Sequence, residues 1–166
     1  MNPLPLDPFE KVCRHVDAIF GPGVSDALPA GGIEFEFSRR TGRIKNFSIE
    51  SRLAATLRTD GGLALTIHGA QFLLQNSKQF AQNCVSPVGE AVPFVSEGRS
   101  LFCRHVAGCG SNVRAGSDVA IVGDGTKNVI AVGIAVLGHS HMNRYSRGVA
   151  VRTREGIKSR NGTLKE

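Results

Sequence analysis

Apolar residues near the start of the chain recur at helical spacing. Phe9, Val12, Cys13, Val16, Ile19 and Phe20 fall at i, i+3, i+4, i+7, i+10 and i+11, which puts them on one face. Asp7 stands where an N-cap belongs, Pro8 takes the first helical position and Gly21-Pro22-Gly23 stops the run, so the spacing predicts a helix over 8–20. The period then drops to two. Ile33, Phe35 and Phe37 interleave with Glu34 and Glu36, as in a strand with one face in a core and one in water. Further strands are expected at 43–49, 53–58 and 63–67, with Asp60-Gly61-Gly62 joining the last two because glycine accepts the positive φ of such loops. A short helix is expected at 69–74.

A weak boundary follows. The stretch Asn83-Cys84-Val85-Ser86-Pro87-Val88-Gly89 marks a linker, and the division between two units is placed near residue 78. Beyond it the pattern predicts a strand at 79–85, a short helix at 90–97 stopped by Gly98, and a strand at 100–106. Strands at 117–122 and 128–137 come next, joined by a Gly123-Asp124-Gly125 turn. Ser140 can cap a brief helix through Tyr145, closed by Gly148, and Val149 opens a last strand. Residues 158–166 have little to bury and are expected to fray. The class is therefore α+β: a small antiparallel unit with a helix at each end over 1–78, then a β-rich, partly closed barrel over 79–157.

Composition narrows the partners. A chain of 166 residues holds one ordinary domain or two small ones, and is too short for a (β/α)8 barrel of about 250 residues. The longest apolar run, 130–137, is broken by Gly133 and falls far short of the ~20 residues that cross a bilayer. The N-terminus has neither a basic segment nor an apolar one, so a cytoplasmic location is expected, with Cys13, Cys84, Cys103 and Cys109 as free thiols. The formal charge of +6 is unevenly placed: residues 1–88 carry nine Lys/Arg against eight Asp/Glu, and residues 89–166 carry eleven against six. Fourteen of the twenty basic residues are Arg, whose planar fork suits phosphate. This favours a nucleic-acid partner.

Catalytic and metal chemistry find little support. Cys103, His105, Cys109, His139 and His141 offer metal-capable atoms, but no CxxC pair is present and no third group is placed to orient a Cys/His nucleophile. The run at 123–128 lacks the order of a phosphate-binding loop. No metal site and no cofactor is assigned. Phe35, Phe37, Phe47, Phe72 and Phe94 are assigned to the core, and with no Trp and one Tyr, phosphate contacts rather than stacking are expected to carry affinity. Arg39, Arg40, Arg43 and Lys45 either hold a phosphate backbone or neutralise Glu34, Glu36 and Glu50 within the sheet.

Four segments carry a resemblance. PFVSEGRSLFCRHV at 93–106, SDVAIV at 117–122, NVIAVGIAVL at 128–137 and MNRYSRGVAVRTREG at 142–156 together resemble the PUA domain, an RNA-binding pseudo-barrel. Upstream, TGRIKNFSIESRLAATLRTDGGLALTIHGAQFL at 41–73 resembles the domain preceding PUA in archaeal tRNA-guanine transglycosylase, the enzyme of archaeosine synthesis. The catalytic aspartates and cysteine-histidine zinc site of that family sit in a barrel for which this length has no room. The resemblance implies an RNA path along the first PUA helix and its glycine turn, the next strand, and the final strand. It points to Gly98, Arg99, Arg104, Arg152 and Arg154, with Arg144 and Arg147 extending the stripe at i, i+3. Gly98 either caps the helix or lets a phosphate backbone approach. Arg152 and Arg154 share a strand face about 6–7 Å apart, as a phosphate pair or as a solvated edge. The expected function is non-enzymatic binding of RNA, above all tRNA, in tRNA modification or RNA processing. The alternative is an interaction subunit that docks on a separate tRNA-modifying enzyme through the helix at 8–20, whose plainer use is packing on its own sheet.

Overall fold

The computed structural model describes residues 7–123 and 127–159, so most of the expected turn at 123–125 and most of the tail at 158–166 lie outside the described residues. Helix α1 (Pro8–Phe20) begins as the sequence predicts: the Asp7 carboxylate accepts the Glu10 amide at 3.0 Å, and Pro8 occupies the first turn. Gly21, at φ 119°, ends it. Val12, Val16 and Phe20 are buried in the core beside Phe47 and Leu73. The apolar face of α1 is therefore used on the chain's own sheet, which removes the reading in which that face docks on a separate polypeptide.

Strands β1 (Ile33–Phe37), β2 (Ile44–Ile49), β3 (Arg52–Leu57) and β4 (Leu63–Leu65) form an antiparallel sheet in sequence order. Glu50 and Ser51, at φ 53° and 61°, make the two-residue turn between β2 and β3. That turn needs positive φ at both positions, and the chain makes it here without glycine. Helix α2 (Ile67–Asn76) is longer than the expected 69–74 because Thr66 caps it: its hydroxyl accepts the Gly69 amide at 3.0 Å and donates to the Leu53 carbonyl at 2.6 Å. Gly69 lies so close to β3 that a Cβ would stand 2.1 Å from the Ala54 carbonyl oxygen. Glycine there is what lets α2 seat on the sheet.

The second half is a six-stranded sheet curled into a half-barrel, built from β5 (Cys84–Pro87), β6 (Leu101–Phe102), β7 (Val106–Cys109), β8 (Asp118–Val122), β9 (Val129–Ala135) and β10 (Val149–Gly156), in the order β6-β10-β9-β8-β5-β7. Two short helices, α3 (Val92–Ser96) and α4 (His139–Met142), complete it. Two expected strands differ. The segment at 79–85 starts as a 3-10 turn, Gln79–Asn83, before β5. The strand expected at 100–106 breaks after Phe102, because β6 pairs with β10 on one edge and β7 pairs with β5 on the other. A 3-10 turn, Cys103–His105, carries the chain between them. Cys103, Arg104 and His105 therefore do not alternate across one strand.

The halves share a core. Ala120, Val122, Val129 and Val132 of β8 and β9 belong to the same buried cluster as Val12, Phe20 and Phe47. Side-chain amides stitch the seam: Asn83 donates to the Phe20 carbonyl at 2.8 Å, Asn112 donates to the Ile19 carbonyl at 3.4 Å, and Gln71 Oε1 accepts the Val129 amide at 2.8 Å.

Candidate nucleic-acid interface

The edge formed by β6 and β10 gathers most of the expected residues. Helix α3 ends at Gly98, φ 97°, whose amide donates to the Val95 carbonyl at 2.9 Å. Gly156 of β10 lies under that turn, where a Cβ would stand 2.4 Å from the Ser96 carbonyl oxygen and 2.5 Å from the Gly98 nitrogen. The glycine turn is thereby fixed against the last strand. Arg99 follows it, exposed, with its guanidinium 5.7 Å from the centre of the Phe94 ring. Leu101 pairs with Val151 and Phe102 with Val149, so the segment that carries Arg99 runs into the strand beside β10, where Arg152 is exposed. The Cys103 amide donates to the Gly148 carbonyl at 2.9 Å, so Arg104 and Arg147 flank one hydrogen bond from opposite chain segments. Arg144 is exposed at the end of α4.

Three aromatic residues accompany these cations. Phe94 is 52% exposed, Phe102 46% and Tyr145 52%, with the Tyr145 ring tilted 31° to that of His141 at 6.5 Å between ring centres. The core assignment of Phe94 is therefore wrong. Val95 and Ser96 take the buried face of α3, and Phe94 turns outward to meet Arg99. Phe102 was signalled by alternation itself, since it stands between the buried Leu101 and Cys103.

Arg154 departs from the expectation. Register on β10 shifts between Thr153 and Glu155, leaving Arg154 as the extra residue of a bulge. Its guanidinium donates to the Leu65 carbonyl and stands 4.0 Å from Asp118. Arg58 donates to Asp118 Oδ1 at 2.7 Å, and Oδ2 accepts the Leu63 amide at 3.1 Å. Asp118 is 4% exposed. Burial pushes its carboxyl pKa up, while Arg58 and Arg154 pull it back in part. Arg154 thus fastens β10 to the first sheet, and its guanidinium does not lie beside the Arg152 side chain as simple alternation predicts.

Elsewhere the candidates separate. Lys45 reaches Glu36 at 3.4 Å, which answers the neutralising role for that residue, while Arg39, Arg40 and Arg43 lie exposed in the β1–β2 loop. Phe37, expected in the core, is 47% exposed there, being the last residue of β1, where the shift between Glu36 and Phe37 breaks the alternation. Burial pushes the Cys84 thiol up to about 12 and raises those of Cys13 and Cys109. His139 Nδ1 lies 2.9 Å from the Cys109 carbonyl. Among the described residues no three His, Cys, Asp or Glu side chains cluster as metal ligands, and no helix is long and apolar enough to cross a membrane.

Comparison with known proteins gives two matched segments. Residues 89–157 match the PUA domain, and residues 12–79 match the patch-forming domain C2 of tRNA-guanine transglycosylase. The chain is 36% identical over 153 residues to the tRNA-guanine(15) transglycosylase of Methanobrevibacter smithii, covering 92% of this chain and 23% of that protein. It is 32% identical over 152 residues to that of Methanothermobacter thermautotrophicus, covering 91% and 23%. The chain thus spans under a quarter of the length of these relatives. A hypothetical protein from Pyrococcus horikoshii shares the fold at TM-score 0.72 and 15% identity, with 95% of each chain covered. A conserved PUA domain protein from Thermoplasma acidophilum does so at 0.64 and 17%, with 90% of this chain and 91% of that one covered. Taken with the half-barrel and its glycine turn, these matches make the chain a PUA-domain protein whose two units resemble the accessory part of the archaeal tRNA-guanine transglycosylases.

Proposed function

We propose that the chain binds structured RNA, tRNA in the first instance, and serves tRNA modification as a non-catalytic accessory. The observation that carries this reading is the β6–β10 edge, where exposed Arg99, Arg104, Arg147 and Arg152 adjoin a fixed glycine turn and three exposed aromatic rings. Guanidinium forks give charge-assisted bonds to phosphate, and Phe94, Phe102 and Tyr145 offer faces for unpaired bases. The transglycosylase likeness supports tRNA as the polymer. In this reading the division near residue 78 separates a unit that supports the half-barrel from one that presents the edge, with Gly98, Arg99, Arg104, Arg144, Arg147 and Arg152 as the contact set.

The test is equilibrium binding of labelled tRNA at a series of salt concentrations. Four phosphate contacts from Arg99, Arg104, Arg147 and Arg152 are expected to contribute about −3 to the log–log slope, since each neutralised phosphate contributes roughly 0.7–0.9. Binding with no salt dependence, or no stronger than that of a neutral control protein, contradicts the proposal.

A further inference from the structure

A second basic surface lies in the first half of the molecule, away from the β6–β10 edge in sequence. Helix α1 and the β1–β2 loop enclose a groove of about 790 Å3. Its walls carry Lys11, His15, Arg40, Arg43, Lys45 and Arg58, and among the described residues no Asp or Glu lines it. In a chain with 14 carboxylates against 20 Lys and Arg, that segregation of sign is a feature of the site and not of the average surface. Lys45 is partnered by Glu36 at 3.4 Å, and Arg58 by Asp60 at 3.1 Å and Asp118 at 2.7 Å. Lys11, Arg40 and Arg43 have no carboxylate within 4.0 Å among the described ion pairs. Three cations thus face the groove uncompensated.

The groove is also preorganised. The Ser38 amide donates to the Arg43 carbonyl at 2.8 Å, the Gly42 amide to the Ser38 carbonyl at 2.8 Å, and the Thr41 amide to Ser38 Oγ at 3.3 Å. Gly42, at φ 67°, closes the turn. A loop held by its own backbone presents Arg40 and Arg43 with less ordering cost on binding. On the opposite wall, His15 Nε2 lies 2.6 Å from the Gly61 carbonyl, tying α1 to the next hairpin. Phe37 supplies an aromatic face, 47% exposed, among these cations. Its volume falls in the range of sites that hold small organic ligands, enough for a nucleotide-sized group.

We propose that this groove is a second RNA site, which holds the phosphodiester backbone of an unpaired or looped segment on Lys11, Arg40 and Arg43 with a base against Phe37. The proposal rests on the RNA reading above for the identity of the polymer. Arginine forks and an exposed aromatic ring favour a nucleic-acid strand over an acidic peptide, which offers carboxylates but no base to stack. Two sites on one chain would act together by effective concentration whenever one RNA reaches both.

The test compares full-length variants for binding to a labelled tRNA transcript across salt concentrations, with circular dichroism to confirm folding. Lys11→Ala/Arg40→Ala/Arg43→Ala is expected to weaken binding about tenfold or more and to lower the salt slope by about 2, at roughly 0.7 for each single-strand phosphate. Phe37→Ala is expected to cost about fivefold or more without changing the slope, by loss of stacking. Lys78→Ala/Arg114→Ala/Lys127→Ala removes the same charge elsewhere and is expected to leave affinity and slope close to those of the native chain. A groove variant that binds like the native chain, or only as weakly as this charge-matched control, overturns the proposal. So does a poly-glutamate peptide that binds the native chain as tightly as RNA and is displaced by the groove substitutions. Arg99→Ala/Arg152→Ala separates the two readings: loss there with the groove variant intact leaves the β6–β10 edge as the RNA site and removes the groove. Loss in the groove variant alone removes the edge instead.

Discussion

Arg152 and Arg154 stand two residues apart on β10, yet they belong to different parts of the molecule. Arg152 is exposed on the edge beside β6, whereas the Arg154 guanidinium lies in the seam between the sheets, against the Leu65 carbonyl and Asp118. A bulge makes the difference: one extra residue re-aims a side chain that simple alternation would have placed beside its neighbour. The exposed edge holds cations that enter none of the described ion pairs, and the seam holds cations answered by a buried carboxylate. An arginine's availability to a ligand is set by what the fold has already paired it with, which residue type and spacing do not disclose.

The seam is where the largest effects are expected. Asp118→Ala leaves the Leu63 amide and the Arg58 Nη1 group without their acceptor, while Arg58 Nε keeps Asp60, and about 3 kcal/mol of stability should be lost, read as the denaturant midpoint at constant m. The slope of tRNA binding against salt should not change under conditions where the variant remains folded. Arg154→Ala should cost about 1–2 kcal/mol, less because the side chain is 38% exposed, and should likewise leave the salt slope alone. Arg152→Ala should do the reverse: stability within about 0.5 kcal/mol of the native chain, with the slope reduced by roughly 0.7–0.9. If Arg154→Ala lowered the slope and Arg152→Ala the stability, the contrast would be inverted.

A smaller effect concerns pH. Burial holds the Asp118 pKa above its unfolded value, so the native state keeps this proton to higher pH than the unfolded chain does. The group's contribution is therefore most favourable below the unfolded pKa and declines as pH rises through the folded one. The stability of the native chain relative to Asp118→Asn, followed by thermal melting, should fall as pH rises through the carboxylate range. A difference that grew with pH would mean that the two guanidiniums outweigh burial.

Periodicity and caps made α1 and the first sheet readable, since Asp7, Pro8 and Gly21 mark the helix and Ile33 to Phe37 alternate. The two-residue turn at Glu50 and Ser51 carried no signal because the residues that adopt positive φ there are not the usual ones. The split of the 100–106 segment was hidden because it follows from which edge each half must pair with, a property of the closed sheet. The candidate edge was legible through Gly98 and the order of the four PUA-like segments. Of its aromatic members, Phe102 could be found by its alternation with Leu101 and Cys103, whereas Phe94 occupies a spacing that a core residue would also occupy.

The central claim is that the β6–β10 edge takes up RNA by neutralising phosphates. The direct measurement is the salt dependence of tRNA binding for the native chain and for Arg99→Ala/Arg104→Ala/Arg147→Ala/Arg152→Ala. The account predicts that the variant stays folded while its slope falls by about 3. An unchanged slope and affinity in the folded variant would contradict it.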